Sequence, residues 1–278
     1  MYDKIFFIGT GRVAKRCIEI LKDNGKIFTC LNVEQEKFPI VQPTCKRLGI
    51  EYKTFQPNEL GNFFDAQNEK ILIISAHNGY IFPRRITDKK NVMIINFHNA
   101  YLPHYRGRNA PTWEIYNDEK FGGATWHFVD SGIDTGKIII QKKVPISADE
   151  TALSLLTKSA ETGIFLFEQN FHMLINAHKG GGITDSHSSS KLYRSYEVPN
   201  DGYLNLNWDF EQAYRFLRAM DYRGMNIMPS PKVELKGETF FIESYRIEKD
   251  ISPLKTTEFS IVANSQDKFL ICQLRKCE

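Results

Sequence analysis

Near the middle of this 278-residue chain, the stretch IINFHNAYLPHYRGRNAP, residues 94–111, sets Asn96 and His98 two positions apart where an apolar run gives out. An amide N–H can donate to a developing oxyanion, and an imidazole can donate or accept a proton near neutrality. Positions i and i+2 of a strand share a face, so the two side chains project together. At the carboxyl end of a buried parallel strand that face borders the crevice where open α/β sheets bind ligands. A plainer reading has Asn96 stopping the strand and His98 satisfying a backbone carbonyl.

Three other stretches can carry chemistry. DSGIDTG, residues 130–136, spaces Asp130 and Asp134 four apart among glycines. As a bare turn it needs only the permissive backbone of Gly132 and Gly136 and aspartates to cap it. GTGRVA, Gly9–Ala14, follows the first apolar run, with Glu34 at the end of the second. That order matches the dinucleotide fingerprint with alanine in the third glycine position, which makes a NAD(P)-dependent oxidoreductase one reading. Tight strand-to-helix turns need the same glycines, and a helix N-terminus attracts any anion. In HYRGRNAP, residues 104–111, Arg106 and Arg108 suit a phosphate or diphosphate, gripped in bidentate fashion; a solvated surface loop is the alternative. His98, His104 and His127 match no usual ligand spacing, so no metal is expected.

The elements that must position these residues alternate through the first two-thirds of the chain. Strands are expected at Lys4–Ile8, Ile27–Val33, Tyr52–Phe55, Ile71–Ser75 and Val92–Phe97, with helices after the first at Val13–Leu21, at Val41–Leu48 and at Asn58–Phe64. The continuous apolar runs at 71–75 and 92–97 are typical of strands buried on both faces of a parallel sheet. The fold class is therefore α/β, a Rossmann-like, mainly parallel sheet with helices on both faces. Gly122–Val129 and Lys137–Val144 read as β-strands around the DSGIDTG turn. Ser147 and Glu150 form a capping-box pattern that opens a long helix, with Leu153, Leu156, Ala160, Ile164, Phe167 and Phe171 as its apolar stripe. HKGGGITDSHSSS, residues 178–190, reads as a mobile loop or linker, and a boundary near residue 200 divides a domain of residues 1–200 from a small β-rich subdomain, 201–278. The latter opens on a helix capped by Asp209 with Gln212, followed by strand-like segments at 232–247 and 257–274.

Composition narrows the function classes. With 42% apolar residues, 25% charge and a net charge of +3, the chain is ordinary and globular, and its charge demands neither a nucleic acid nor a membrane as partner. No apolar run approaches a membrane span. The five cysteines are odd in number, scattered and without CxxC spacing, which suits reduced thiols and a cytoplasmic location.

Asn-x-His at 96–98, Leu-Pro-x-Tyr-Arg-Gly at 102–107 and Asp-x-Gly-x-Asp-Thr-Gly at 130–136 together resemble the N10-formyltetrahydrofolate-dependent formyltransferase family, most strongly over residues 71–145. The resemblance implies formyl transfer from N10-formyltetrahydrofolate to an amine through a tetrahedral intermediate, with no metal. The family's trio then falls on Asn96, His98 and Asp134. In those roles Asn96 donates to the oxyanion, worth about 3 kcal/mol. His98 donates there or takes the amine's proton, worth roughly 10²–10⁴-fold, and Asp134 orients or charges the imidazole. The resemblance also implies a pterin against Tyr80, Ile81, Phe82, Val129, Asp130 and Ile133. Gly9, Gly11 and Arg12 of the GTGRVA turn, His77, and the segment Tyr105, Arg106, Gly107, Arg108 and Asn109 would serve the acceptor.

For the acceptor, the segment NVEQEKFPIVQPTCKRLG, residues 32–49, lacks the basic insertion with which transfer-RNA formyltransferases resemble one another, and the region after residue 200 has mixed charge. Glycinamide ribonucleotide enzymes end soon after the long helix, whereas this chain continues. The pattern that remains is that of sugar-nucleotide N-formyltransferases, which implies a nucleoside-diphosphate amino-dideoxy sugar as acceptor and a homodimer; methionyl-tRNA, peptide or hydroxyornithine-type amines are the alternatives. Trp208, Tyr222 and Phe240 either stack a nucleobase or belong to the core.

Overall fold

The computed structural model describes residues 2–33, 39–178, 181, 190–249, 258–262 and 268–277. Glu34 and most of the stretch read as a loop or linker at 178–190 lie outside the described residues. The chain divides into two compact units. The first comprises Met1–Gly107, Gly123–Val144 and Thr157–Leu192; the second comprises Arg108–Gly122, Pro145–Leu156 and Tyr193–Glu278.

Strands β1 (Lys4–Gly9), β2 (Thr29–Asn32), β3 (Glu51–Thr54), β4 (Ile71–Ala76) and β5 (Val92–His98) alternate with helices α1 (Gly11–Asp23), α2 (Val41–Leu48), α3 (Pro57–Asp65) and the one-turn α4 (Arg84–Thr87). The two-residue strand β6 (Arg106–Gly107), helix α5 (Ala110–Tyr116), strands β7 (Phe121–Phe128) and β8 (Ile138–Pro145), helices α6 (Ala152–Gln169) and α7 (Phe171–Ile175) and the short β9 (Leu192–Tyr193) follow. One seven-stranded sheet has the order β3-β2-β1-β4-β5-β7-β8, parallel from β3 to β5 and antiparallel between β5 and β7.

The period of two along each strand builds the two faces. Phe7, Leu72, Ile74, Ile95 and Phe97 enter one apolar cluster, with Val13, Cys17 and Phe167 from the helices. Phe6, Ile8, Ile71, Ile73, Val92 and Ile94 enter the other, against Leu60, Phe64 and Phe82. Each fully buried side chain of this size contributes about 1.5–3 kcal/mol, so a one-residue slip of β5 would forfeit several such terms at once, and its register is secure. All six residues of β4 are buried, as the continuous apolar run predicts.

Helix α6 begins later than the capping-box pattern suggests. Ser147 Oγ does bond Glu150 Oε2 at 3.1 Å. The cap is Thr151, whose Oγ1 accepts from the Ser154 N–H at 3.2 Å and whose own N–H donates to Ser154 Oγ at 2.9 Å. The buried face accordingly runs through Leu155, Ala160, Leu166 and Phe167, while Leu153 and Leu156 are half-buried, and Phe171 belongs to α7.

In the second unit, α8 (Phe210–Met220) starts where Asp209 Oδ1 accepts from the Gln212 N–H at 2.8 Å. Strands β10 (Lys232–Leu235), β11 (Glu238–Glu248), β12 (Glu258–Val262) and β13 (Phe269–Lys276) form an antiparallel sheet ordered β10-β11-β13-β12. Tyr222 is core, buried and bonded through its hydroxyl to Thr112 Oγ1 at 2.9 Å. Trp208 packs on Tyr116 and Phe216 at centroid distances of 6.5 and 5.5 Å. Among the described residues, no helix is long and apolar enough to cross a membrane.

Candidate active site

Asn96 and His98 occupy the carboxyl end of β5, on the face that carries Val92 and Ile94. The register pairs Asn96 with Ser75 of β4 on one side and with His127 of β7 on the other. Both neighbours hold the amide: Ser75 Oγ donates to Asn96 Oδ1 at 2.8 Å, and Asn96 Nδ2 donates to His127 Nε2 at 3.2 Å. The His127 Nδ1–H is committed to the Phe128 carbonyl at 2.7 Å.

His98 is 8% exposed. Its Nε2 donates to the Tyr105 carbonyl at 2.8 Å, and its Nδ1 lies 3.5 Å from Asp134 Oδ2. Both ring nitrogens therefore face acceptors, and the ring serves as a donor. Asp134 reaches this point from a turn in which it adopts φ +51°, a left-handed conformation that an aspartate tolerates better than most residues. Its Oδ2 also accepts the Gly107 N–H at 2.8 Å, and its Oδ1 lies 3.4 Å from His127 Nε2. Burial would raise the Asp134 carboxyl; the charge of His98, with the Gly107 N–H, opposes burial, and the carboxyl is held well below the usual carboxylate range. Asn96, His98 and Asp134 thus come together from two chain segments, with His127 between the amide and the carboxylate.

The remaining residues singled out in the sequence divide. Tyr80, Phe82 and Val129 join the apolar cluster beside this face. Ile81 and Ile133 are 71% and 39% exposed. Asp130 Oδ1 closes its turn by accepting from the Gly132 N–H at 2.9 Å and Thr135 Oγ1 at 2.5 Å. Val129 and Asp130, with Val92–Ile94 and Thr135, border a cavity of about 320 Å³ that Tyr80, Ile81, Phe82 and Ile133 do not line.

His77, at φ +51°, is held by Asn99, whose Oδ1 and Nδ2 lie 3.1 and 2.8 Å from its Nε2, the oxygen as acceptor for the protonated ring. Desolvation lowers the His77 imidazole below its usual range, the Asn99 bond opposes this, and the charge of His98 adds to it. Gly9 has a packing reason, since a Cβ there would overlap the Ala76 carbonyl oxygen; Gly11 takes φ +69° in open space. Thr10 Oγ1 donates to the His77 carbonyl at 2.9 Å, and Arg12 pairs with Glu161 at 3.1 Å. Arg106 Nη2 donates to the Ser190 carbonyl at 2.5 Å, while its buried Nε has no partner among the described residues. Arg108 and Asn109 belong to the second unit, where the Arg108 N–H donates to Tyr193 O at 2.9 Å and Asn109, at φ +59°, opens α5. No group of three or more potential metal-ligating side chains occurs among the described residues.

The family model described as "Formyl transferase" matches residues 7–168, more than half of the chain. The GDP-perosamine N-formyltransferase of Brucella melitensis biotype 1 is 25% identical over 254 residues, covering 89% of this chain and 95% of that protein. The methionyl-tRNA formyltransferase of Alkaliphilus oremlandii is 28% identical over 202 residues, covering 67% of this chain and 64% of that one. Among solved structures, WlaRD, a sugar 3N-formyl transferase solved with dTDP and 5-N-formyl-THF, aligns over 100% of both chains with a TM-score of 0.76 at 19% identity. The N-formyltransferase of Helicobacter canadensis, solved with folinic acid and dTDP-3-aminofucose, covers 98% of this chain and 99% of that one with a TM-score of 0.74 at 18% identity. These structural likenesses show the fold.

Proposed function

The chain belongs to the formyl transferase family and is a formyltransferase; on that premise we propose that it moves a formyl group from 10-formyltetrahydrofolate to the amine of a nucleotide-linked amino sugar. The observation that carries this reading is the convergence of Asn96, His98 and Asp134, with His98 Nδ1 3.5 Å from Asp134 Oδ2.

The cavity fits a pterin in kind: apolar side chains of Val92 and Val129 stand beside the polar Asp130 and Thr135. When bound, the folate supplies an activated formyl group at N10. Asn96 turns its second Nδ2 hydrogen toward the negative charge that develops on the formyl oxygen. His98, a donor held by the Asp134 carboxylate, adds to that stabilisation and supplies a proton toward the departing nitrogen. The proton lost by the attacking amine returns through the Asp134–His98 pair. The free Nε edge of Arg106 suits a phosphate oxygen of the acceptor.

The relative with 25% identity over 95% of its own length acts, by its name, on GDP-perosamine, and the mild charge of this chain agrees with a small acceptor. Methionyl-tRNA is the second reading, supported by relatives such as that of Alkaliphilus oremlandii. The test is incubation with 10-formyltetrahydrofolate and, separately, GDP-perosamine, a dTDP-linked 3-amino sugar and methionyl-tRNA, following tetrahydrofolate release. Release with an amino-sugar nucleotide is expected. Release with methionyl-tRNA alone would move the assignment to the second reading, and release with none would overturn both.

A further inference from the structure

We propose that His127 is a positioning residue for the transfer, holding the Asn96 amide as an oriented donor through an unprotonated Nε2. The inference rests on the formyl-transfer reading and adds to it a residue outside the trio. His127 is 1% exposed and sits directly across from Asn96 in the antiparallel β5–β7 pair. Its Nδ1 faces the Phe128 carbonyl at 2.7 Å, and a carbonyl only accepts, so Nδ1 carries the proton. In the neutral ring Nε2 is then an acceptor, 3.2 Å from Asn96 Nδ2.

This contact decides which way the amide points. On its other side Asn96 meets the Ser75 hydroxyl at 2.8 Å, and a hydroxyl serves an amide oxygen or an NH₂ equally well. The sense of Ser75 is only weakly set, by Asn78 Nδ2 at 3.4 Å. His127 breaks the symmetry: one Nδ2 hydrogen is bound to Nε2, Oδ1 is turned to Ser75, and the second Nδ2 hydrogen stays available for the formyl oxygen. The same Nε2 lies 3.4 Å from Asp134 Oδ1. A proton on Nε2 would be drawn to that carboxylate and would oppose the Asn96 donor, so one nitrogen cannot serve both.

The tautomer is read directly by long-range ¹⁵N–¹H correlation of the imidazoles, with His127→Gln assigning the signal. A His127 ring protonated at Nδ1 only, whose Nε2 resonance moves in Asn96→Ala, is expected. A proton on Nε2 at neutral pH would overturn the proposal whatever the acceptor. Kinetics then test the consequence with two replacements. Gln reaches the place of Nε2 and can accept from Asn96, while Asn stops at the place of Nδ1 and can serve only the Phe128 carbonyl. His127→Asn is expected to lower kcat about tenfold or more with KM for folate and for GDP-perosamine within about threefold, as a misplaced donor would. His127→Gln is expected to recover most of that loss, and in an Asn96→Ala background His127→Asn should cost little. Equal losses in the two variants, or full losses independent of Asn96, would contradict the role. Wild-type turnover in Asn96→Ala itself would instead sink the formyl-transfer reading.

Discussion

The His98 ring sits between the Tyr105 carbonyl and the Asp134 carboxylate, and its surroundings leave it little to do but donate. His98→Ala and Asp134→Ala should each lower kcat by about 100-fold or more while folate binding stays within a few-fold, measured by steady-state turnover and by titration with 10-formyltetrahydrofolate. The Asp134 carboxyl is held below its unfolded value. Its contribution to stability is therefore present above about pH 4 and is lost as pH falls through the folded value. Wild-type protein should lose melting temperature below that pH more steeply than Asp134→Asn, as calorimetry at stepped pH would show; parallel curves would refute the linkage. Asn96, His98 and Asp134 were legible as a set because three ordered motifs carried them. His127 was not, because one histidine in the run ATWHFV has no spacing that distinguishes a hydrogen-bonding partner from an ordinary strand residue, and only the β5–β7 register brings it to Asn96.

Elements decide how firmly that point is held. Phe97, between the two site residues on β5, packs its ring where a Cβ at Gly163 of α6 would stand, and the Gly163 carbonyl accepts from Trp126 Nε1 at 2.9 Å. Alanine at that helical position would gain about 1 kcal/mol in propensity. Phe97 is 3% exposed and has nowhere to go, and overpacking of this kind costs about 1–3 kcal/mol. Gly163→Ala is expected to melt a few degrees lower and to lower kcat through displacement of β5; a variant more stable than wild type would show that propensity wins. The central strands were legible from their apolar period. Other elements rest on subtler signals. Helix α5 has only Asn109 and Pro111 to announce it, and the strand-like stretch at 232–247 is a hairpin of β10 and β11. Its turn, Lys236–Gly237 at φ +52° and +78°, has the left-handed pair that a two-residue connection requires.

At the scale of the whole molecule, stability and charge give separate checks. Glu114, in the second unit, is 1% exposed, its Oε2 has no partner among the described residues, and burial, with the charge of Glu119, raises its carboxyl well above the usual value. The folded state must then keep a proton that the unfolded chain releases above about pH 4.3, so this group erodes stability as pH rises toward the folded value. Glu114→Gln should melt with wild type at pH 4 and progressively above it toward pH 8, whereas a gap independent of pH would exclude the buried carboxyl as its cause. A net charge of +3 predicts turnover on a small acceptor that falls only mildly with added salt, unlike the steep loss expected for a polyanion. The central claim is most directly tested by the rate of tetrahydrofolate release from 10-formyltetrahydrofolate in the presence of GDP-perosamine, compared between wild type and Asn96→Ala, His98→Ala and Asp134→Ala. The proposed transfer predicts release matched one-for-one by N-formylated sugar nucleotide in the wild type and nearly abolished in all three variants. Release that needs no amine, or that survives loss of any one of these side chains, would contradict it.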